Sequence, residues 1–350
     1  MKYFAGLDVS MEETSVCIVN QDGEIIREGR AATDPAALDD YLKATGLPFD
    51  RVGFESGPCS AWLYKGLSAA GLPVICMDAR HTSAALKAQN MKTDRNDARG
   101  IAQIVRTGWY RPAHVKSEES QTRRVLLNTR KALLGNRLQL ENQIRGNLKV
   151  FGLKIGQVTA TQYEARVREL VEGESDLSGY IEPLLRVRSY ILMQCRELDK
   201  KVRALVRDDE VCRRFMSIPG VGPLTALVYK SAIDDPQRFA KSANVGVHLG
   251  LTPRKYASGE IDYNGRITKC GDPLARSHLF EAAQVLMRRS AKKSALKTWG
   301  TRIARRGSTK KAYVAVARKL AVIMHRMWLD GTEFDFGAEP AIPAGVARVS

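Results

Sequence analysis

Four carboxylates in the first hundred residues carry the strongest chemical signal in this chain. Asp8 closes the apolar run FAGLDVS, Glu55 closes VGFES, and Asp94 and Asp97 stand three apart in KTDRNDARGIAQIV, a segment with helical spacing. A carboxylate at the end of a buried strand is costly to desolvate unless something pairs with it. Two residues three apart on a helix share one face. Four such groups brought together without counter-ions repel one another, and some stay protonated. Two divalent cations would pair with all four and clamp the attacking and leaving oxygens of a phosphoryl transfer on nucleic acid. Lys92 and Arg95 flank the helical pair and are candidates for phosphate contact.

Two further constellations follow. In LTPRKYASGEIDYNGRITKCGDP (251–273), Ser258 precedes Gly259 in what reads as a short loop, surrounded by Arg254, Lys255, Arg266 and Lys269. A serine flanked by glycine and ringed by cations can attack a phosphodiester while the cations steady the phosphorus. On spacing alone a plain Ser-Gly turn is the commoner reading. In SIPGVGPLTALVYK (217–230), Gly220 and Gly222 belong to a Pro-Gly-Val-Gly-Pro turn between two apolar stretches. This is a helix–hairpin–helix pattern, whose turn can present backbone N–H groups to a phosphate at the start of the next helix. A purely structural turn is the alternative.

The elements that must position these residues can be read from periodicity. Residues 3–9, 14–20 and 24–32 read as strands, with QDG (21–23) as a hairpin turn between the last two. A short helix follows over 35–45, then strand 51–55, a helix from 60 to about 70, strand 73–78 and a helix near 81–90. Three strands in a meander followed by strand–helix alternation is the order of an α/β ribonuclease-H-like domain, here residues 1–116. From Ser117, Leu126, Leu133 and Leu140 recur at seven, as do Leu127, Leu134, Glu141 and Leu148. A second long helix runs from about Tyr180 to Asp208, where Leu184, Ile191, Leu198 and Leu205 repeat at seven beside Cys195 and Val202. Two heptad-bearing helices predict an antiparallel coiled-coil arm over 117–210, with two helices of an ordinary bundle as the alternative. A mainly α-helical third region spans 211–330. The Gly-, Ala- and Pro-rich tail, 331–350, reads as disordered.

Charge separates these regions. The 350 residues carry a net charge of +17, yet residues 1–116 hold 14 Lys/Arg against 14 Asp/Glu. The excess therefore lies after Lys116, and residues 282–329 contain 13 Lys/Arg and no acid. That asymmetry predicts a polyanionic partner, nucleic acid first. The six cysteines show no CxxC or metal-ligand spacing and read as reduced core thiols of a cytosolic protein. No signal peptide and no membrane span are expected.

The motifs GLDVS, FESGP, KTDRNDA, IPGVGPLTA, HLGLTPRKYASGE and GRITKCGDPLAR, in this order and spacing, resemble the DEDD transposases of a bacterial insertion-sequence family, recombinases guided by a bridge RNA. The resemblance runs from GLDVS through the last basic helices. It implies a resolvase-like metal domain, a coiled coil and a C-terminal transposase domain. Asp8, Glu55, Asp94 and Asp97 become a metal-binding tetrad for two Mg²⁺, with Mn²⁺ as a substitute. Ser258 becomes the nucleophile that joins DNA covalently. The family's serine often lies in Ser-Ser-Gly; here Ala257 holds the first place and leaves Ser258 as the serine candidate. The implied partners are donor and target DNA, a bridge RNA, and further copies of the chain in a homodimer or homotetramer. The tetrad of one subunit would then work with the serine of another, in the bacterial cytoplasm at the nucleoid. A metal-dependent resolvase-like nuclease using water needs the tetrad but not Ser258. A non-catalytic nucleic-acid-binding protein needs neither.

Overall fold

The computed structural model describes residues 1–87 and 91–337. The chain divides into two units, Met1–Ser117 and Glu118–Ser350. In the first, β1 (Tyr3–Val9), β2 (Glu13–Asn20) and β3 (Ile25–Ala32) form an antiparallel meander. Then come α1 (Pro35–Lys43), β4 (Phe49–Glu55), α2 (Ser60–Ala69), β5 (Val74–Met77), α3 (Ala79–Leu86) and α4 (Asp94–Thr107). The strands lie in the order β3-β2-β1-β4-β5, with β4 parallel to both β1 and β5. This mixed sheet fits a ribonuclease-H-like domain. The helix expected near 81–90 is α3; positions 88–90 lie outside the described residues.

Strand alternation sorts the side chains into two cores. Ala5, Leu7, Val16, Ile18, Val52 and Phe54 pack with Leu38, Leu42, Leu63 and Leu67 of α1 and α2. Phe4, Cys17, Val19 and Met77 pack on the other face with Ala98, Ile101, Ala102 and Val105 of α4. By the same alternation Gly6 and Asp8 of β1, and Gly53 and Glu55 of β4, lie on the α4 face. The glycines set how closely α4 approaches. A Cβ on Gly6 would fall inside the backbone nitrogen of Ala102 and the carbonyl oxygen of Ala98, and one on Gly53 would collide with the Val105 side chain. The pattern Gly-x-Asp in one strand and Gly-x-Glu in its neighbour therefore puts bare backbone under the helix and a carboxylate beyond it.

The second unit is mainly α-helical. It comprises α5 (Glu118–Val150), α6 (Tyr163–Leu170), α7 (Ser175–Arg207), α8 (Glu210–Phe215), α9 (Pro223–Ile233) and α10 (Ala243–His248). A hairpin of β6 (Pro253–Ser258) and β7 (Ile261–Ile267) precedes α11 (Pro273–Arg288), α12 (Ala295–Arg306) and α13 (Thr309–Asp330). The main core gathers Phe215, Leu227, Tyr229, Leu279, Leu286, Leu320 and Met324, with Leu127, Val202 and Val206 from the long helices. Of the segment expected to be disordered from 331, residues as far as Gly337 are described. Phe334 is 8% exposed within this core, and its N–H donates to Ser217 Oγ at 2.9 Å. Two phenylalanines in an otherwise small-residue stretch supply the anchor.

The long helices α5 and α7 run antiparallel, since Arg130 pairs with Asp199 while Glu141, further along α5, pairs with Arg188, further back on α7. The buried line of α7 is Ile181, Leu185, Arg188, Ile191, Cys195, Val202 and Val206. Of the heptad line read from sequence, Leu184 and Leu198 are half-buried and Leu205 is exposed. An arginine within the buried line hid it from a hydrophobic pattern. Arg188, 1% exposed, donates to Glu141 (2.8 Å), Glu164 (2.7 Å) and the Ala160 carbonyl (2.9 Å), and stands 4.6 Å over the Tyr163 ring. Glu141, which interrupts the apolar line of α5, is thus a partner of the residue that interrupts α7.

Gly6→Ala should lower the unfolding free energy by about 1–3 kcal/mol, as overpacking does, whereas Gly135→Ala, with open space around it on α5, should raise it by about 0.5–1 kcal/mol. Urea titrations of the two variants check this. Equal and small effects would remove the close-approach argument.

Candidate functional site

The C-terminal ends of β1 and β4 and the first turn of α4 bring their carboxylates within electrostatic range of one another. Leu7 pairs with Phe54 in parallel register, so Asp8 and Glu55 end neighbouring strands on the α4 side. Glu55 is held by the turn behind it. Ser56 N–H donates to the Met77 carbonyl (2.8 Å), Ala79 N–H donates to Ser56 Oγ (3.2 Å), and Ser60 Oγ donates to the Glu55 carbonyl (3.3 Å). The motif FESGP thus pins the backbone on which this carboxylate sits. Thr93 caps α4 by accepting from Asn96 N–H. Asp94 and Asp97 then fall in the first turn, where the helix dipole favours negative charge.

The four carboxylates are electrostatically coupled. Asp8 is half-buried and pushed from 3.8 to about 6, first by burial, then by the charges of Asp97 and Asp94. Glu55 is raised by burial first, then by Asp8 and Asp97. Lys92 opposes both shifts, so its charge is felt at the cluster. Glu55 Oε1 is buried without a hydrogen-bond partner. A buried, unpartnered acceptor among like charges is the donor set a hard dication would satisfy. Among the described residues no group of three or more Asp, Glu, His or Cys side chains is arranged to hold a metal ion as it stands. The donor chemistry fits such an ion, and its coordination would require these side chains to converge.

Two neighbours missed from sequence set the position of α4. Glu28 of β3 accepts from Arg99 Nε (2.5 Å) and Nη2 (2.9 Å) and from Arg95 Nε (2.9 Å). Arg99 first, then Arg95, holds the Glu28 carboxyl down to about 2. Arg95, expected at phosphate, is therefore engaged by the sheet. A glutamate paired across the strands with buried Cys17 was the available signal.

Ser258 lies at the end of a strand, not in a loop. It pairs with Ile261 across the two-residue turn Gly259–Glu260, where Gly259 has φ +56°. Every residue of β6 is exposed, and Arg254, Lys255, Arg266 and Lys269 are exposed around it. Lys255 pairs with Asp262 at 3.2 Å. Lys269 takes a left-handed conformation (φ +56°), its N–H donating to the Gly250 carbonyl at 3.1 Å. Gly220 and Gly222 have different roles. Gly220, at φ +95°, lies against the Ala282 carbonyl of α11, where a Cβ would collide. Gly222 has open space beside it and begins α9 with no side-chain cap, which leaves first-turn amides available.

Among the described residues no helix is long and apolar enough to cross a membrane. Residues 5–152 match the DEDD transposases of IS110 type, and residues 212–299 match the IS116/IS110/IS902 transposase family. The chain is 28% identical over 326 residues to the transposase for insertion sequence element IS1111A of Coxiella burnetii, covering 91% of this chain and 87% of that protein. It is 27% identical over 289 residues to the transposase for IS1328 of Yersinia enterocolitica, covering 81% and 85%. The first family match spans nearly all of the unit that carries the coupled carboxylates and runs on through α5, the second spans the Ser258 hairpin, and the chain is similar over most of its length to the DEDD transposases of IS110-type insertion sequences.

Proposed function

We propose that this protein is a transposase that cleaves and rejoins DNA through a serine nucleophile assisted by divalent cations held on Asp8, Glu55, Asp94 and Asp97. The observation that carries the reading is the coupled carboxylate cluster, one of whose acceptors, Glu55 Oε1, is buried without a hydrogen-bond partner. Two Mg²⁺ ions, or Mn²⁺ in their place, would supply charge neutralisation and polarisation of the scissile phosphate. Ser258 Oγ forms a bond to phosphorus as the deoxyribose oxygen leaves with a proton. A hydroxyl of another strand then attacks the phosphoserine linkage, and Ser258 recovers a proton, so DNA is rejoined without net hydrolysis. Exposure at the tip of a hairpin gives Ser258 access to a backbone that a buried serine would lack. Lys92, Arg254, Arg266 and Lys269 steady phosphate charge, and the Gly222 amide region at α9 serves as a helix–hairpin–helix phosphate contact.

The finer organisation belongs to the same proposal. Residues 1–116 act as the metal-dependent domain, 117–210 as a coiled-coil arm, and 211–330 as the transposase domain that carries the serine. The cation-rich α12 and α13 support a second polyanion, a bridge RNA, beside donor and target DNA. Arg305, Arg306, Lys310 and Lys311 are exposed there. The arm supports assembly into a dimer or tetramer at the nucleoid.

Two experiments test this reading. Without metal, Asp8 has a folded-state pKa above its unfolded value, so its ionisation opposes folding above about pH 6 and has no effect below about pH 4. Asp8→Asn should therefore raise Tm in chelator at about pH 8, an advantage that disappears by about pH 4. Mg²⁺ should raise the Tm of the wild type and have a smaller effect on the variant. A wild-type Tm that ignores Mg²⁺ and Mn²⁺ would remove the metal assignment.

The serine is tested by the covalent intermediate. Wild-type protein should form a protein–DNA adduct that survives denaturation and maps to the peptide containing YASGE. Ser258→Ala should bind nucleic acid normally yet form neither adduct nor recombinant. Cleavage by Ser258→Ala at the wild-type rate would sink the serine mechanism and leave the carboxylate site standing.

A further inference from the structure

We propose that Tyr256 and Tyr263 form a stacking platform for a base of the DNA strand whose phosphate meets Ser258; this rests on the reading of Ser258 as the nucleophile. The two tyrosines are directly opposed on β6 and β7, their rings stacked with centroids 5.0 Å apart and planes 20° from parallel. They are nevertheless 44% and 55% exposed. Residues two apart on a strand share a face, so Tyr256 and Ser258 point the same way, with their partners Tyr263 and Ile261 beside them. Ring and hydroxyl stand about 7 Å apart along the strand, within the span of one nucleotide. Gly265 continues the same face, and a Cβ there would press on the Tyr256 ring at 2.9 Å. The Tyr256 ring thus packs over bare backbone at Gly265, and its exposure belongs to the rest of its surface.

The occupant follows from charge and shape. Arg254 lies two residues before Tyr256 on the same face, and Arg266 and Lys269 follow Tyr263 along the chain, while Lys255, on the reverse face, is paired with Asp262. Flat aromatic surface rimmed by cations is how proteins hold unpaired strands, since every base has a π-face and every linkage a negative charge. A two-stranded hairpin is marginally stable alone in water, and a cross-strand aromatic pair accounts for part of its order. The platform would hold a base out of its stack while the adjoining phosphate reaches Ser258 Oγ.

The test uses the full-length chain, in wild-type and Ser258→Ala forms, with a short single-stranded DNA containing one 5-iododeoxyuridine. Photocrosslinking should map to Tyr256 or Tyr263 in both forms. Tyr256→Phe and Tyr263→Phe should keep the crosslink, because the ring remains. Tyr256→Ile combined with Tyr263→Val keeps a β-branched cross-strand pair but no ring. It should lose the crosslink, weaken binding about five- to 150-fold as the loss of one base stack does, and lower adduct yield. Should that double variant fail to fold, the single variant Tyr256→Leu or Tyr263→Leu that removes the ring carrying the wild-type crosslink must show the same loss. Crosslinking elsewhere, crosslinking preserved in the Ile/Val variant, or crosslinking to an RNA of the same sequence but not to DNA would each overturn the proposal. If the crosslink appears as described while wild-type protein forms no phosphoserine adduct, the serine reading fails and the platform stands.

Discussion

The first unit depends on how closely one helix can approach one sheet. Beneath α4 the two central parallel strands each present a glycine, and the residue two further along is a carboxylate. Without Cβ atoms at Gly6 and Gly53 the helix backbone settles onto the strands, and its first turn comes down beside Asp8 and Glu55. The same close approach excludes water from the acids, which is the leading cause of their raised pKa values. Packing and electrostatics therefore oppose each other here. Apolar contact along Ala98, Ile101, Ala102 and Val105 holds α4 in a place that its own acidic residues disfavour. Glu28 resolves part of the conflict by engaging Arg99 and Arg95, so two cations of α4 tie the helix to the sheet.

The second unit follows a different logic. Its helices bury a continuous core, and the hairpin that bears Ser258 stands outside it. The base of that hairpin is tightly determined. Gly250 and Gly271 lie against backbone that a side chain would overlap, and Arg276 reaches the carbonyls of Leu249, Cys270 and Gly271. A closely packed root with an exposed tip is the arrangement that the proposed attack of Ser258 on a polymer backbone would use. The cations follow the same division. Arg124 pairs with Asp272 and Arg130 with Asp199, where they brace the fold, while those of α12 and the start of α13 remain at the surface.

Most of the first unit was legible because its signals are local. Alternating apolar strands, a Gly at φ +88° in the QDG turn and a capped amphipathic helix fix the elements to within a few residues. The coupling of Asp8 with Glu55 was legible because both end strands that the fold order makes neighbours. What escaped depends on pairings between distant segments. Glu28 reads as one polar residue in a strand until Arg99 is seen against it. The short helix α6 and the early start of α7 escaped because their anchors, Tyr163, Val167 and Leu177, pack into a small cluster assembled from four separate segments. The Ser258 hairpin escaped because its strands are exposed on both faces and so carry no buried–exposed alternation.

Arg188 has a consequence for length. A heptad seam alone permits two helices to slide by seven residues, about 10 Å, and find apolar partners again. The guanidinium of Arg188 has one address, between Glu141, Glu164 and the Ala160 carbonyl. Any slip would strand a buried charge, a loss of about 3–5 kcal/mol where such pairs are broken. In this pair of 33-residue helices apolar contact provides adhesion, and a single buried cation fixes the register at which the two helices meet.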